Sequence, residues 1–258
     1  MRYKDTDKSI PEIAEELGVD AVIEGSVLRS GDSVRVTAQL IEAKTDQYLW
    51  ADNFDRELRD ILALYSDVAR AIAQEIEIAV TPEEETRLAS VRSVDPEAHD
   101  AYLKGSYHWK KATREDLDTA ESYFELALEK DPSYAPAHAG LAWVWAVRQQ
   151  VNITPPRETG PKAKAAALQA IALDDTSAEA HAALAGIRTW TDWDWVGAEP
   201  EWRRALELDP NAANAHAYFA HFLVIMGRVD EAIPHSERAL ELDPFNALFY
   251  ALHSKVLF

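Results

Sequence analysis

Two patterns of hydrophobic and polar positions divide the chain. In the first, apolar residues come in short runs. Pro11 to Leu17 reads as a short helix that Gly18 ends. Val34, Val36, Ala38 and Leu40 alternate with Arg35, Thr37 and Gln39, the period of a half-buried strand. Ala21 to Arg29 is a second strand, Ser30-Gly31-Asp32 a hairpin turn between the two, and Gln47 to Asp55 a third strand carrying Tyr48, Leu49, Trp50 and Phe54. Ile61, Tyr65, Val68, Ile72, Ile76 and Ala79 then recur at steps of three and four, which predicts one stripe of a long helix. Thr81-Pro82-Glu83-Glu84 has the residues of a helix start, with Thr81 as cap and Pro82 at the first position.

The second pattern repeats. Ala127-Leu128-Glu129-Lys130-Asp131-Pro132, Ala170-Ile171-Ala172-Leu173-Asp174-Asp175, Ala205-Leu206-Glu207-Leu208-Asp209-Pro210 and Ala239-Leu240-Glu241-Leu242-Asp243-Pro244 are versions of one segment, and Asp95-Pro96 opens the series. From Pro96 the ends fall at Pro132, Asp175, Pro210 and Pro244, steps of 36, 43, 35 and 34 residues. Counting back from each end gives Ala120/Phe124/Ala127, Ala163/Ala167/Ala170, Ala198/Trp202/Ala205 and Ala232/Ser236/Ala239, each on one helical face. A preceding helix carries Tyr102, His138, His181 or His216 at one equivalent position. The long step holds an insertion, Asn152 to Gly160, after which Pro161 suits the first turn of a helix. Pro234 lies inside a second helix and predicts a mild kink.

These repeats resemble the tetratricopeptide (TPR) consensus, and the last full one follows it without gaps through His216, Phe219, Ala220, Leu223, Gly227, Ala232, Ala239 and Pro244. Gly105, where a large apolar residue is usual, and Asp175, in place of Pro, depart from it. Upstream, Ile13 to Val27, Val36 to Ile41 and Leu49-Trp50-Ala51 resemble the TolB-amino-terminal-like (FlgO/CsgG-related) domain. The expected architecture is mainly α: a TPR right-handed superhelix (α-solenoid) preceded by a small, N-terminally incomplete α/β domain. The boundaries expected are 1–80 for the partial α/β domain, 81–94 for a linker helix, and 95–258 for four repeats plus one unpaired helix. The resemblance implies a bacterial regulatory protein, in which such a module stands beside a winged-helix head, a Ser/Thr kinase or an adenylate cyclase, often behind a membrane span. Both ends read as cut inside a folding unit. An exposed stripe of Phe245, Phe249, Leu252, Val256 and Phe258 is therefore expected to favour self-association into a homo-oligomer.

Composition narrows the partners. Lys and Arg number 26 against 45 Asp and Glu, a net charge of −19 that argues against nucleic acid as a ligand. No apolar run is long enough for direct membrane insertion. Zero Cys excludes thiol chemistry, while leaving cytoplasm and periplasm both open. Phosphate-cradling glycine loops, His-Glu-x-x-His, EF-hand spacing and the Gly-x-Ser-x-Gly elbow are all missing from the sequence. No catalytic residue, metal ligand or cofactor is therefore expected, and the module reads as non-enzymatic. His138, His181 and His216 share one repeat position, which gives them a packing or polar-network role. Asp192/Asp194 reads as a solvated surface pair.

What remains is a protein or peptide partner. Repeat register points Trp143 and Trp190 into the concave groove with Tyr107, Tyr218 and His221, where anchoring a ligand and packing are both open. Lys104 joins them at an inner position. The surrounding residues, Ala139, Gly140, Ala182, Ala183, Gly186 and Ala217, are small and suggest a trough for a helix or extended peptide. With Lys104, Gly140, Ala183 and Tyr218 inside, the Asn and Lys/Arg clamp of chaperone-type TPRs for a peptide carboxylate is missing. Trp109, Trp145 and Trp202 sit at core positions, and Trp193 and Trp195 are expected to plug the turn between two helices.

Overall fold

The structure is a computed structural model and describes residues 3, 6–76 and 94–257. Ala79, the Thr81 cap, most of the expected linker helix and Phe258 lie outside the described residues. The chain forms two compact units, Met1–Pro96 and Glu97–Phe258.

In the first unit, helix α1 (Ile10–Leu17) begins with a capping box, the Ser9 N–H donating to the Glu12 carboxylate at 2.8 Å. It stops where Gly18 takes a left-handed φ of 65°. Strands β1 (Ala21–Ser30), β2 (Ser33–Glu42) and β3 (Gln47–Glu57) form an antiparallel sheet in that order, with Gly31 at φ 61° opening the first turn. Alternation works as the sequence implies in the central strand: Val34, Ala38 and Leu40 are buried on one face, with Arg35 exposed on the other. Helix α2 (Ile61–Glu75) packs on β2 and β3, tied by Arg56 to Asp67 at 2.6 Å. Its inward face differs from the expected stripe. Ile61 and Leu64 are buried, whereas Tyr65 and Ile76 are exposed, so the helix is rolled toward Leu64.

The second unit is a row of helices: α3 (Pro96–Trp109), α4 (Arg114–Lys130), α5 (Ala135–Gln150), α6 (Pro156–Leu173), α7 (Ala178–Ile187), α8 (Trp195–Leu208), α9 (Ala213–Ile225), α10 (Val229–Leu242) and α11 (Ala247–Leu257). Each small-large-small set is buried between the helices of a pair, from Ala120/Phe124/Ala127 to Ala232/Ser236/Ala239. The Phe124 ring explains Gly105. Its atoms lie 2.7 Å from where a Cβ on Gly105 would stand and 2.5 Å from one on Gly140, so two glycines together make the slot for one ring.

The repeat histidines form one recurring hydrogen bond. His138 Nε2 meets the Pro132 carbonyl at 3.1 Å, His181 the Asp175 carbonyl at 3.1 Å, and His216 the Pro210 carbonyl at 3.0 Å. Tyr250 follows suit through its hydroxyl to the Pro244 carbonyl, at 3.1 Å. Each bond reaches six residues back, from a first helix to a carbonyl of the turn before it, two residues past the end of the preceding helix, and gives that turn carbonyl a partner.

Three expectations are corrected here. The insertion does not stay a loop: α6 begins at Pro156, so Pro161 is inside the helix rather than in its first turn. Pro156 already occupies the favoured first position, and the chain winds on from there. The stripe expected to be exposed is only partly so: Phe249, Leu252 and Val256 are buried where α11 packs on α9 and α10, while Phe245 just before α11 is exposed. Finally, the turn after α7 is a π-helical segment, Arg188–Asp192, and it turns Trp193 outward instead of plugging the gap.

Candidate functional site

The first helices of successive repeats line one side of the second unit, and their aromatic residues meet in a continuous row. Trp109 of α3 stacks on Trp143 of α5 at 5.7 Å between ring centroids and 10° between planes. Trp143 stacks in turn on Tyr218 of α9 at 5.6 Å, passing over α7. Trp190, in the π-helical turn after α7, meets Tyr218 edge-on at 5.6 Å and stacks on His221 at 5.8 Å. The row skips a repeat because α7 offers Gly186 there. A Cβ on Gly186 would lie 3.2 Å from the Trp190 ring and 3.9 Å from that of Trp143.

Of the six positions singled out from the sequence, four are thus joined: Trp143, Trp190, Tyr218 and His221. Trp143 is 2% exposed and Tyr218 7%, while Trp190 and His221 are half-buried. Burial pushes the Tyr218 phenol up to about 12 and lowers His221, which the positive charge of Lys255 lowers further. The small residues Ala139, Gly140, Ala182, Ala183, Gly186 and Ala217 are all buried; the Phe124 ring takes the space beside Gly140 and the Trp190 and Trp143 rings that beside Gly186, while Ala139 packs with Ala170 and Ala180. Lys104 and Tyr107 stand apart on α3. Tyr107 is 66% exposed with the Lys111 ammonium 4.4 Å over its ring, and Lys104 donates to Asp100 at 2.7 Å.

Sequence reasoning passed over a polar link on the same side. The Tyr102 hydroxyl donates to Glu179 at 3.2 Å, joining α3 to the first turn of α7. Burial raises the Glu179 carboxyl, and that carboxyl's charge is the main cause raising Tyr102. Glu179 stands two residues before the repeat histidine His181, where the other repeats carry Asp100, Pro136 and Asn214; register alone could have flagged it. Among the described residues no group of three or more His, Asp or Glu is placed to hold a metal ion, and no helix is long and apolar enough to cross a membrane.

No family model matches the chain. Over 191 residues, 73% of this chain, it is 35% identical to the Rhizobium meliloti protein named "Putative adenylate cyclase 3", of which the match spans 32%. Over 241 residues, 93% of this chain, it is 22% identical to the transcriptional regulator HilA of Salmonella typhimurium, of which the match spans 43%. The chain therefore spans a third to under a half of the curated relatives it matches. Among solved structures, a thermophilic TPR protein of Thermus thermophilus superposes with a TM-score of 0.52 at 16% identity, covering 78% of this chain and 97% of that one. The helical rows and that superposition together give the chain the tetratricopeptide-repeat fold, an α-solenoid, preceded by a small three-stranded antiparallel sheet that carries α1 and α2 among the described residues.

Proposed function

We propose that the repeat unit is a non-catalytic protein-interaction module that binds a helix or extended peptide along the inner side of its first helices. The observation that supports this best is the ring row ending in half-buried Trp190 and His221, with exposed Tyr107 and Lys104 on α3 of the same helix series. Buried rings fix the wall, and partly exposed ones offer apolar contact at little entropic cost. The contact residues on this reading are Lys104, Tyr107, Trp190 and His221, with Trp143 and Tyr218 holding the wall behind them.

Helical and extended peptides selected from a display library against the whole chain provide the test. A selected peptide is expected to lose about tenfold or more in affinity to Tyr107→Ala or His221→Ala while circular dichroism stays unchanged. Peptides that bind both variants like the parent place recognition elsewhere and refute the inner-side reading.

The names of the two relatives favour a second reading at the level of the whole protein. On it, the module is the sensory half of an adenylate cyclase or of a transcriptional regulator, as those names suggest, with the Ser/Thr kinase and winged-helix heads implied by the sequence resemblance alone. The adjoining coding sequence tests this, since a cyclase, kinase or winged-helix region beside the module supports it and an unrelated or missing effector refutes it.

A further inference from the structure

The turn between α7 and α8 presents an aromatic surface that the inner-side reading leaves unused. After the π-helical segment Arg188–Asp192, Trp193 takes a left-handed conformation at φ 57°, which costs free energy for a bulky L residue and persists only where its surroundings impose it. Those surroundings are on view. The Asp194 N–H donates to the Arg188 carbonyl at 2.9 Å, the Arg188 guanidinium donates to the Gly197 carbonyl at 2.8 Å, and the Gly197 N–H donates to the Asp194 carboxylate at 2.9 Å. Lys164 of α6 holds Asp192 at 2.5 Å. Held in this way, Trp193 is 70% exposed and Val196 89%, and the indoles of Trp193 and Trp195 meet edge-to-face at 6.0 Å.

A tryptophan fixed in solvent has little freedom left to lose on binding, which is what makes this side chain a frequent anchor in protein interfaces. Asp192 and Asp194 stand on either side of Trp193 in sequence and both residues are exposed, Asp192 paired with Lys164 and Asp194 accepting the Gly197 N–H through one carboxylate oxygen. Indole faces attract guanidinium and ammonium groups, and exposed carboxylates favour the same charge. The chain's net charge of −19 adds a long-range pull in that direction. We propose that the Trp193–Trp195 turn is a docking site for an arginine- or lysine-bearing segment of a protein partner, its cation seated on the exposed Trp193 indole. The site lies on the turn between the helices of a pair and stands whether or not the inner side binds a peptide.

The whole chain, labelled at its tryptophan indoles for nuclear magnetic resonance, is titrated with N-acetyl-tetra-arginine amide, with tetraglutamate and phosphatidylcholine vesicles as parallel arms. The expected result is a saturable shift of the Trp193 and Trp195 indole resonances by the arginine peptide alone. Affinity is expected to weaken about threefold or more in Trp193→Ala and to stay near that of the parent in Trp193→Phe, which keeps an aromatic face. Equal affinity in Trp193→Ala, failure to saturate, or shifts confined to other tryptophans overturns the proposal. An equal response to tetraglutamate also overturns it, and a response to the vesicles instead replaces the basic segment with a lipid surface.

Discussion

Replacing Trp143 by Ala removes the centre of the ring row. The side chain is fully enclosed, stacked at 5.7 Å on Trp109 and at 5.6 Å on Tyr218, and its far edge fills the space that Gly186 leaves open. Truncating a buried tryptophan costs about 3–5 kcal/mol through lost transfer energy and the cavity left behind. The two stacking contacts account for about 0.5–1.5 kcal/mol each of that sum. Because α5 and α9 belong to alternate repeats, the cavity opens between helices that cannot close on it without moving α7. The upper half of the range is therefore expected. Urea unfolding followed by far-ultraviolet circular dichroism measures it, with Tyr107→Ala as the exposed aromatic control, expected within about 0.5 kcal/mol of the parent. A loss below about 1 kcal/mol for Trp143→Ala would mean that the row is not packed as described. The same result bears on binding studies, since a partner lost on Trp143→Ala reports the wall's collapse as readily as a lost contact.

Two further outcomes follow from the packing. A methyl group on Gly140 would enter the ring of Phe124, 2.5 Å from its nearest atom, so Gly140→Ala is expected to cost about 1–2 kcal/mol net of the roughly 1 kcal/mol that helix propensity returns; a more stable variant in the same urea assay would contradict the slot. His235 faces His216 at 2.9 Å, with Arg203, Asp209, Glu231 and Arg238 as the charged neighbours of the pair, and burial together with the positive charges of His216 and Arg203 lowers its pKa to about 4. A lowered folded value means the unfolded chain binds the proton more readily, so this contribution is present above about 6.5 and is lost as pH falls from there toward 4. On a half-buried ring screened by water it amounts to about 1–2 kcal/mol. The urea midpoint of His235→Gln should therefore fall less steeply with acid than that of the parent, and parallel slopes would rule the pair out as the cause.

The parts legible in the sequence are those governed by local rules. Alternation located the central strand, the Ser30-Gly31-Asp32 turn the strand before it and an aromatic run the third, Gly18 ended α1, and the spacing of Ala120, Phe124 and Ala127 and its counterparts marked which helix faces pair. The shared position of His138, His181 and His216 gave a polar-network role before any partner was visible. What register did not convey is contact between non-neighbouring repeats. Trp143 reaches Tyr218 only because Gly186 lies between them, and Gly140 and Gly186, which read as part of a vacant trough, turn out to be the clearance for large residues. The direction of Trp193 was equally illegible, since one extra residue wound into a π-helical turn rotates everything after it.

The bond from each first helix to the carbonyl six residues before it also bears on how such a chain can change length. It clasps the joint between one repeat and the next at a fixed separation, from His138 to Tyr250, whatever lies elsewhere in the repeat. The 43-residue step keeps its clasp at both ends and spreads the surplus over a longer α5, a longer connecting loop and a longer α6, away from the joint. Gains and losses of sequence are thereby steered to the bend inside a helix pair, where they can reshape a local surface such as the Trp193 turn while the pitch of the array is inherited unchanged.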